Sequence, residues 1–231
     1  MSIKENLEHI NAKIAEAAKK SGRKREDILL LAVSKTVEVP RIKEAVDLGL
    51  LDLGENKPQE INWKYFEIEN VRWHQIGHLQ TNKVKYIIDK VCLIHSVESL
   101  KLAEEISKRA KAKDITMDIL IEINIAGEEA KHGVPLGEAE ALAVEISKLD
   151  NIKVKGLMTV APFVENPDEN RQYFAQMRKL FVDIRDKNYN NIDMKYLSMG
   201  MTNDYEAAIE EGANIVRIGT GLFGARNYTK N

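Results

Sequence analysis

The sequence holds a single cysteine, Cys92, among 231 residues. That excludes an intramolecular disulfide and fits a reducing compartment. Cys92 lies in the apolar run Val91-Cys92-Leu93-Ile94, where a small buried hydrophobe in a strand is expected rather than a catalytic thiol. Aromatic residues make up only 6% and are scattered, so no base-stacking platform for RNA emerges. Neither sign of charge prevails: 34 Lys and Arg stand against 36 Asp and Glu, interspersed, for a net charge of −2. That balance leaves no nucleic-acid footprint. No apolar run approaches the length of a bilayer span, and the opening MSIKENLEHINAKIAEAAKK is charged throughout, without the apolar core of a secretion signal. These absences predict a soluble cytoplasmic protein that binds neither nucleic acid nor membrane.

What is present is a regular alternation of short apolar runs and amphipathic segments. Ile3, Leu7, Ile10, Ile14 and Ala17 mark one face of an opening helix that ends near Ser21-Gly22. Ile28 to Ser34 reads as a strand buried on both faces. A helix beginning at Pro40 and closed by Gly49 follows. Further strands are predicted at Leu51–Gly54, Arg72–Gly77, Val91–His95, Met117–Ile123, Val154–Met158, Met194–Leu197 and Ile215–Ile218. Helices fill the gaps. Leu136, Ala139, Leu142, Ala143, Ile146 and Leu149 form one stripe, and Asn166-Pro167-Asp168-Glu169 caps another helix with Phe174, Met177, Phe181 and Ile184 on its face. Eight strands alternating with helices imply parallel pairing, and eight such units suggest a closed (β/α)8 barrel with an extra N-terminal helix; an open doubly wound sheet would show similar local patterns. No linker or low-complexity segment divides the chain, so residues 1–231 are expected to form one α/β domain.

Barrels of this kind carry their chemistry at the C-terminal ends of the strands. The polar residues there are Lys35, Glu55-Asn56, His78, Ser96, Asn124, Thr159, Ser198 and Gly219-Thr220. Lys35 directly follows Leu29-Leu30-Leu31-Ala32-Val33-Ser34. An amine at the rim of an apolar barrel is partly desolvated and freed to attack a carbonyl, although position alone suits a lysine reaching to solvent better. Two glycine-rich stretches add weight: Ser198-Met199-Gly200-Met201-Thr202-Asn203-Asp204 after the seventh strand, and Gly219-Thr220-Gly221-Leu222-Phe223-Gly224 after the eighth. Glycine lets backbone N–H groups approach an anion, and the loops after strands seven and eight form a recurring phosphate site. Arg217 shares a strand face with Ile215 and Gly219. So placed, it either pairs with a carboxylate such as Glu55 or Glu122, or donates to a ligand. His74 and His78 fall on one strand face with His95 at the end of the next. Without a cysteine pair or evident carboxylate partner, no metal site is expected.

The motifs that contain these residues closely resemble those of the YggS/PROSC family of pyridoxal-phosphate homeostasis proteins. They are Leu31-Ala32-Val33-Ser34-Lys35-Thr36, Gly54-Glu55-Asn56-Lys57-Pro58-Gln59-Glu60, Trp73-His74-Gln75-Ile76-Gly77-His78-Leu79-Gln80-Thr81-Asn82-Lys83, Gly156-Leu157-Met158, and the two glycine-rich stretches, the second preceded by Val216-Arg217-Ile218. The resemblance runs through nearly the whole chain. It implies a barrel like the N-terminal domain of alanine racemase, with pyridoxal 5′-phosphate (PLP) held as a Schiff base on Lys35. Ser198, Gly200, Gly219 and Thr220 would contact the phosphate, and Arg217 would lie near the pyridine nitrogen. Asn56 and His78 would sit at the rim close to the ring.

The cofactor's electron-sink chemistry uses a protonated ring nitrogen, and an arginine donor there disfavours that proton. Racemisation on the related fold needs a second acid/base from another domain, for which no room is expected here. The implied role is therefore a non-enzymatic, monomeric carrier or buffer in PLP homeostasis, supplying apo-enzymes. The competing readings are a weak racemase of the alanine racemase-like class, an aldolase using Lys35 on a phosphorylated sugar, and a regulatory module that binds protein partners.

Overall fold

The computed structural model describes residues 2–224; the expected span of 1–231 takes in Met1 and residues 225–231, which lie outside the described residues. The chain opens with α1 (Ile3–Lys20), started by a reciprocal capping box between Ser2 and Glu5 and stopped at Ser21. Its buried face is Ile3, Leu7, Ile10, Ile14, Ala17 and Ala18. The expected apolar stripe therefore faces protein rather than solvent, and Asn6 ties it to the far end of the chain by donating to the Leu222 carbonyl (2.9 Å).

Strands β1 (Leu29–Val33), β2 (Asp52–Glu55), β3 (Arg72–Gln75), β4 (Val91–Val97), β5 (Met117–Asn124), β7 (Ile152–Thr159), β8 (Ile192–Met201) and β9 (Ile215–Ile218) pair in parallel. The order is β4-β3-β2-β1-β9-β8-β7-β5, and the pairing of β4 with β5 closes the ring. The result is the expected eight-stranded barrel. A two-residue strand, β6 (Val134–Pro135), adds to the C-terminal end of β5. Helices α2 (Val39–Asp47), α3 (Pro58–Lys64), α4 (Leu100–Ala112), α5 (Ala139–Ile146), α6 (Arg171–Asp186) and α7 (Tyr205–Glu210) lie in the connections, and α8 (Thr220–Phe223) follows β9. Between β3 and β4 the connection is a 3-10 segment, Thr81–Tyr86. None of the described helices is long and apolar enough to cross a membrane.

Two apolar cores result. One lies between strands and helices; the other fills the barrel with Leu31, Leu93, Leu120, Met158 and Ile215. Burial on both faces explains why the strands read as continuous hydrophobic runs.

Three details depart from the sequence reading. Strand β8 runs four residues past Leu197 and takes in Ser198–Met201, because the left-handed backbone of Gly200 (φ 89°) lets the chain shift register between Ser198 and Met201 without leaving the sheet. Cys92 is exposed, not buried. The β3–β4 register runs from Trp73–Val91 to His74–Leu93 and skips Cys92, so the irregularity turns its side chain toward the N-terminal opening of the barrel. There its sulfur lies 3.3 Å from Nε2 of His74, and the crowding protein pushes the thiol up to about 12. Third, β3 ends at Gln75, so His78 belongs to the following loop and shares no strand face with His74.

Gly156 is the tightest point of the sheet. At φ 148°, a Cβ built on it would lie 1.8 Å from the Tyr196 carbonyl oxygen, a distance no relaxation of a side chain relieves. Gly156→Ala is expected to destabilise the protein by more than about 4 kcal/mol in urea unfolding. Gly137→Ala, where nothing lies within 4 Å, should change stability by less than about 1 kcal/mol. Equal effects would contradict this assignment.

Candidate functional site

The C-terminal mouth of the barrel holds a solvent-open cavity of about 530 Å³. Lys35, Asn56, Arg217, Gly219 and Thr220 all line it. The two glycine-rich stretches meet there: Thr202 Oγ1 accepts from the Gly221 N–H and from Thr220 Oγ1, each at 3.3 Å. The amine at the end of β1 and both loops therefore open on one chamber at one end of the fold.

The backbone beside Lys35 is strained and held. Thr36, a β-branched residue, adopts φ 62°, a conformation such side chains rarely take. Its N–H donates to Glu60 Oε2 (2.9 Å) and its hydroxyl to the Lys35 carbonyl (2.6 Å). Glu60 is in turn gripped by Lys64 (2.9 Å), whose fully buried ammonium also donates to Glu55 Oε1 (2.7 Å) and the Ser34 carbonyl (2.9 Å). Ser34 Oγ donates to the same Glu55 oxygen (2.7 Å). Burial pushes the Glu55 carboxyl up to about 7 against the pull of Lys64. Glu55 thus serves Lys64 and not Arg217, which corrects one of the two partners expected for the arginine. The reason is reach: Lys64 on α3 folds back over the end of β2, where Glu55 sits.

Arg217 is buried, and burial draws its guanidinium down to about 10, opposed by Glu122 and Asp204. Its direct partners are Ser198 Oγ (2.8 Å) and the Thr159 carbonyl (2.7 Å). Ser198 therefore lies beneath the chamber floor as the arginine's support. Behind it runs a line of buried polar groups through the barrel: Ser198 Oγ to His95 Nδ1 (3.1 Å), His95 Nε2 to His74 Nδ1 (3.0 Å), and His74 Nε2 to Asp52 Oδ1 (3.1 Å). Asp52 also pairs with Arg72 at the opposite end of the barrel. Arginine only donates and an ionised carboxylate only accepts. With neutral rings, one set of directions satisfies every group: Arg217 donates to Ser198, Ser198 to His95 Nδ1, His95 Nε2–H to His74 Nδ1, and His74 Nε2–H to Asp52. Burial, His74 and Arg217 hold His95 well below the usual imidazole range, so it is neutral. Glu122 is also buried near Arg217. Burial and Glu98 push it up to about 7 against the arginine's pull, and its Oε2 has no hydrogen-bond partner.

The other named residues serve different surroundings. Gly200 is required by packing: a Cβ there would lie 2.5 Å from that of Ala208 and 2.9 Å from the Cα of Tyr205. His78 faces a neighbouring groove shared with Asn56 and pairs with Glu98 (2.9 Å). The sequence reading missed Ile76, Lys131, Phe163 and Asn170 among the chamber's lining. Asn170 is buried and donates to the Pro162 carbonyl and to Asp204 Oδ2, both at 2.9 Å, which ties the loop after β7 to the loop after β8. The helix cap at Asn166-Pro167 pointed to this segment; Lys131 carries no local signal.

The model of the alanine racemase N-terminal domain matches residues 6–227. A pyridoxal phosphate homeostasis protein of Aquifex aeolicus is 46% identical over 99% of this chain and all of its own length. The chain belongs to the pyridoxal phosphate homeostasis protein family. Among solved structures, a protein of unknown function from Bifidobacterium adolescentis superposes with a TM-score of 0.88 at 36% identity, covering 95% of this chain and 94% of its own. PipY of Synechococcus elongatus, solved with PLP bound, superposes with a TM-score of 0.79 at 30% identity, covering 91% of this chain and 100% of its own.

In this family member, folded Glu122 keeps its proton up to about 7, whereas the unfolded chain releases it near the ordinary 4.5. The stability this group contributes is full below about pH 4.5 and is lost as pH rises through about 7. Glu122→Gln should therefore gain on the parent by about 2 kcal/mol between pH 5 and pH 8 in urea unfolding; an unchanged difference would refute the protonated carboxyl. Long-range ¹H–¹⁵N spectra should show His95 as the Nε2–H form at pH 7, with no titration down to pH 5. A doubly protonated ring there would break the assigned proton directions.

Proposed function

We propose that this protein binds PLP in the chamber as a Schiff base on Lys35 and acts in intracellular PLP homeostasis, as a cofactor carrier or buffer that supplies apo-enzymes. The observation that carries the reading is the convergence of Lys35, Arg217 and both glycine-rich loops on one cavity. Its size suits a small phosphorylated ring. Its donors also match the group: an amine for the aldehyde, a guanidinium for the ring nitrogen, and the backbone and hydroxyls of Gly219, Thr220 and Thr202 for the phosphate. Ser198 contributes by fixing Arg217, Gly200 by letting the loop pack, and Asn56 and His78 by shaping the rim. The relatives named for pyridoxal phosphate homeostasis and the PLP-bound PipY structure support the same ligand.

When bound, PLP supplies an electron sink that depends on a protonated ring nitrogen. Arg217, held by Ser198 and Thr159 and backed by the line to Asp52, presents a donor where that chemistry needs an acceptor. This favours loading and release over turnover. A weak alanine racemase-like activity is the second reading, since the fold is shared with that domain. The carrier is proposed to be a monomer.

Borohydride reduction of the cofactor-loaded protein followed by peptide mapping should place the reduced adduct on Lys35. Lys35→Ala should lose the visible absorbance of the loaded protein, and turnover of alanine enantiomers should stay at background. An adduct on another lysine would overturn the attachment, and sustained racemisation would overturn the carrier role.

A further inference from the structure

Three consecutive loops at the C-terminal mouth bring together side chains that do not line the cofactor chamber. His78 follows β3, Glu98 follows β4, and His132 precedes β6 at the end of the loop after β5. One ligand atom from each lies within 4.8 Å of the other two. His78 Nδ1 stands 2.9 Å from Glu98 Oε1, and His132 Nδ1 stands 3.5 Å from Oε2 of the same carboxylate. The two imidazoles stack nearly parallel, with centroids 4.0 Å apart and planes 12° apart.

A surface ion pair needs one histidine per carboxylate, and two imidazolium rings stacked this closely would repel each other. Two rings whose Nδ1 atoms both face one carboxylate can share a single cation there; because an imidazole lone pair lies in the ring plane, binding the ion tilts the rings out of their stack. Two nitrogens and a carboxylate oxygen are the donor set of a zinc-class ion with open positions left for water. Atoms bound tetrahedrally to one such ion at about 2.1 Å lie about 3.4 Å apart, so the three, now within 4.8 Å of one another, draw together as the ion binds.

The loops are also braced. The Gly133 N–H donates to Glu98 Oε2 (2.9 Å), which fixes the residue next to His132. Gly133 sits at φ 107°, and a Cβ there would meet the Asn124 nitrogen at 2.6 Å, so the loop packs directly on the end of β5. Asn124 closes that loop by donating to the Glu128 carbonyl (2.8 Å) and accepting from the Glu128 N–H (3.2 Å). His132 is thus presented by an organised turn.

We propose that His78, Glu98 and His132 form a binding site for one divalent transition-metal ion, of the zinc class, at the rim of the barrel beside the chamber. Metal ligation needs neutral imidazoles and an ionised carboxylate, so binding of the ion weakens in acid. It also ties the loop bearing Lys131, which lines the chamber, to the loops after β3 and β4.

The test is calorimetric titration of the full, tag-free, chelator-treated chain with Zn²⁺, together with the visible absorption of the Co²⁺-substituted protein. One ion per chain is expected, with a Co²⁺ spectrum of low coordination number. Loss of an outer partner alone commonly weakens metal affinity about 10–100-fold, so Glu98→Gln and His132→Asn should each weaken it at least tenfold. Cys92→Ser and Lys35→Ala should leave affinity unchanged, the second because the site does not depend on the cofactor reading. No binding, or binding that Glu98→Gln and His132→Asn do not weaken, overturns the site. Loss of binding in Cys92→Ser or Lys35→Ala places the ion at the thiol or at the cofactor and overturns it equally.

Discussion

The buried ammonium of Lys64 is the tie on which the mouth of the barrel depends. It has no solvent contact and satisfies its three donors on Glu55, Glu60 and the Ser34 carbonyl. Through these it joins the ends of β1 and β2 to α3, and through Glu60 it holds the Thr36 N–H. Removing one member of such a set leaves a charge stranded in the interior, which commonly costs about 3–5 kcal/mol. The left-handed turn at Thr36 persists because this network over-determines it. The orientation of the chain at Lys35 is therefore set by a lysine that never touches the chamber.

A second charge is managed on the other side of the chamber floor. Arg217 donates to two groups that cannot neutralise it, a hydroxyl and a backbone carbonyl, and the nearby carboxyl of Glu122 keeps its proton up to about 7. The arrangement is costly in desolvation and is tolerated because the guanidinium donates to acceptors on two strands, β7 and β8. It fits a site that must retain a fixed cation whether or not a ligand sits above it.

Much of this was legible from sequence, for identifiable reasons. Strands buried on both faces give uninterrupted apolar runs, and the turn residues between them are explicit, so the eight strands and the leading helix follow from pattern; an open doubly wound sheet shares that pattern, and the β4–β5 pairing that closes the barrel is set by tertiary structure. Lys35 was visible because it abruptly ends the run Leu29–Ser34, and the two loops because their glycines cluster. Partners set by tertiary reach were not legible. Nothing local links Lys64 to Glu55, Ser198 to Arg217, or Glu98 to His78 and His132, since each pairing joins separate elements. The exposure of Cys92 was hidden for a related reason: a register shift in β4 overrides the strict alternation that the run Val91–Ile94 suggests. Gly200 was read as an anion cradle because packing demand and ligand demand select the same residue.

The line of groups from Arg217 to Asp52 has one more consequence. Its lower end meets the protein's sole thiol, whose sulfur touches the same His74 nitrogen that faces Asp52. Attaching a dye or a cross-linker at Cys92 is therefore not a silent choice of handle. A bulky or charged adduct there displaces the last link of the series, and the disturbance is passed along the barrel axis to the opposite opening.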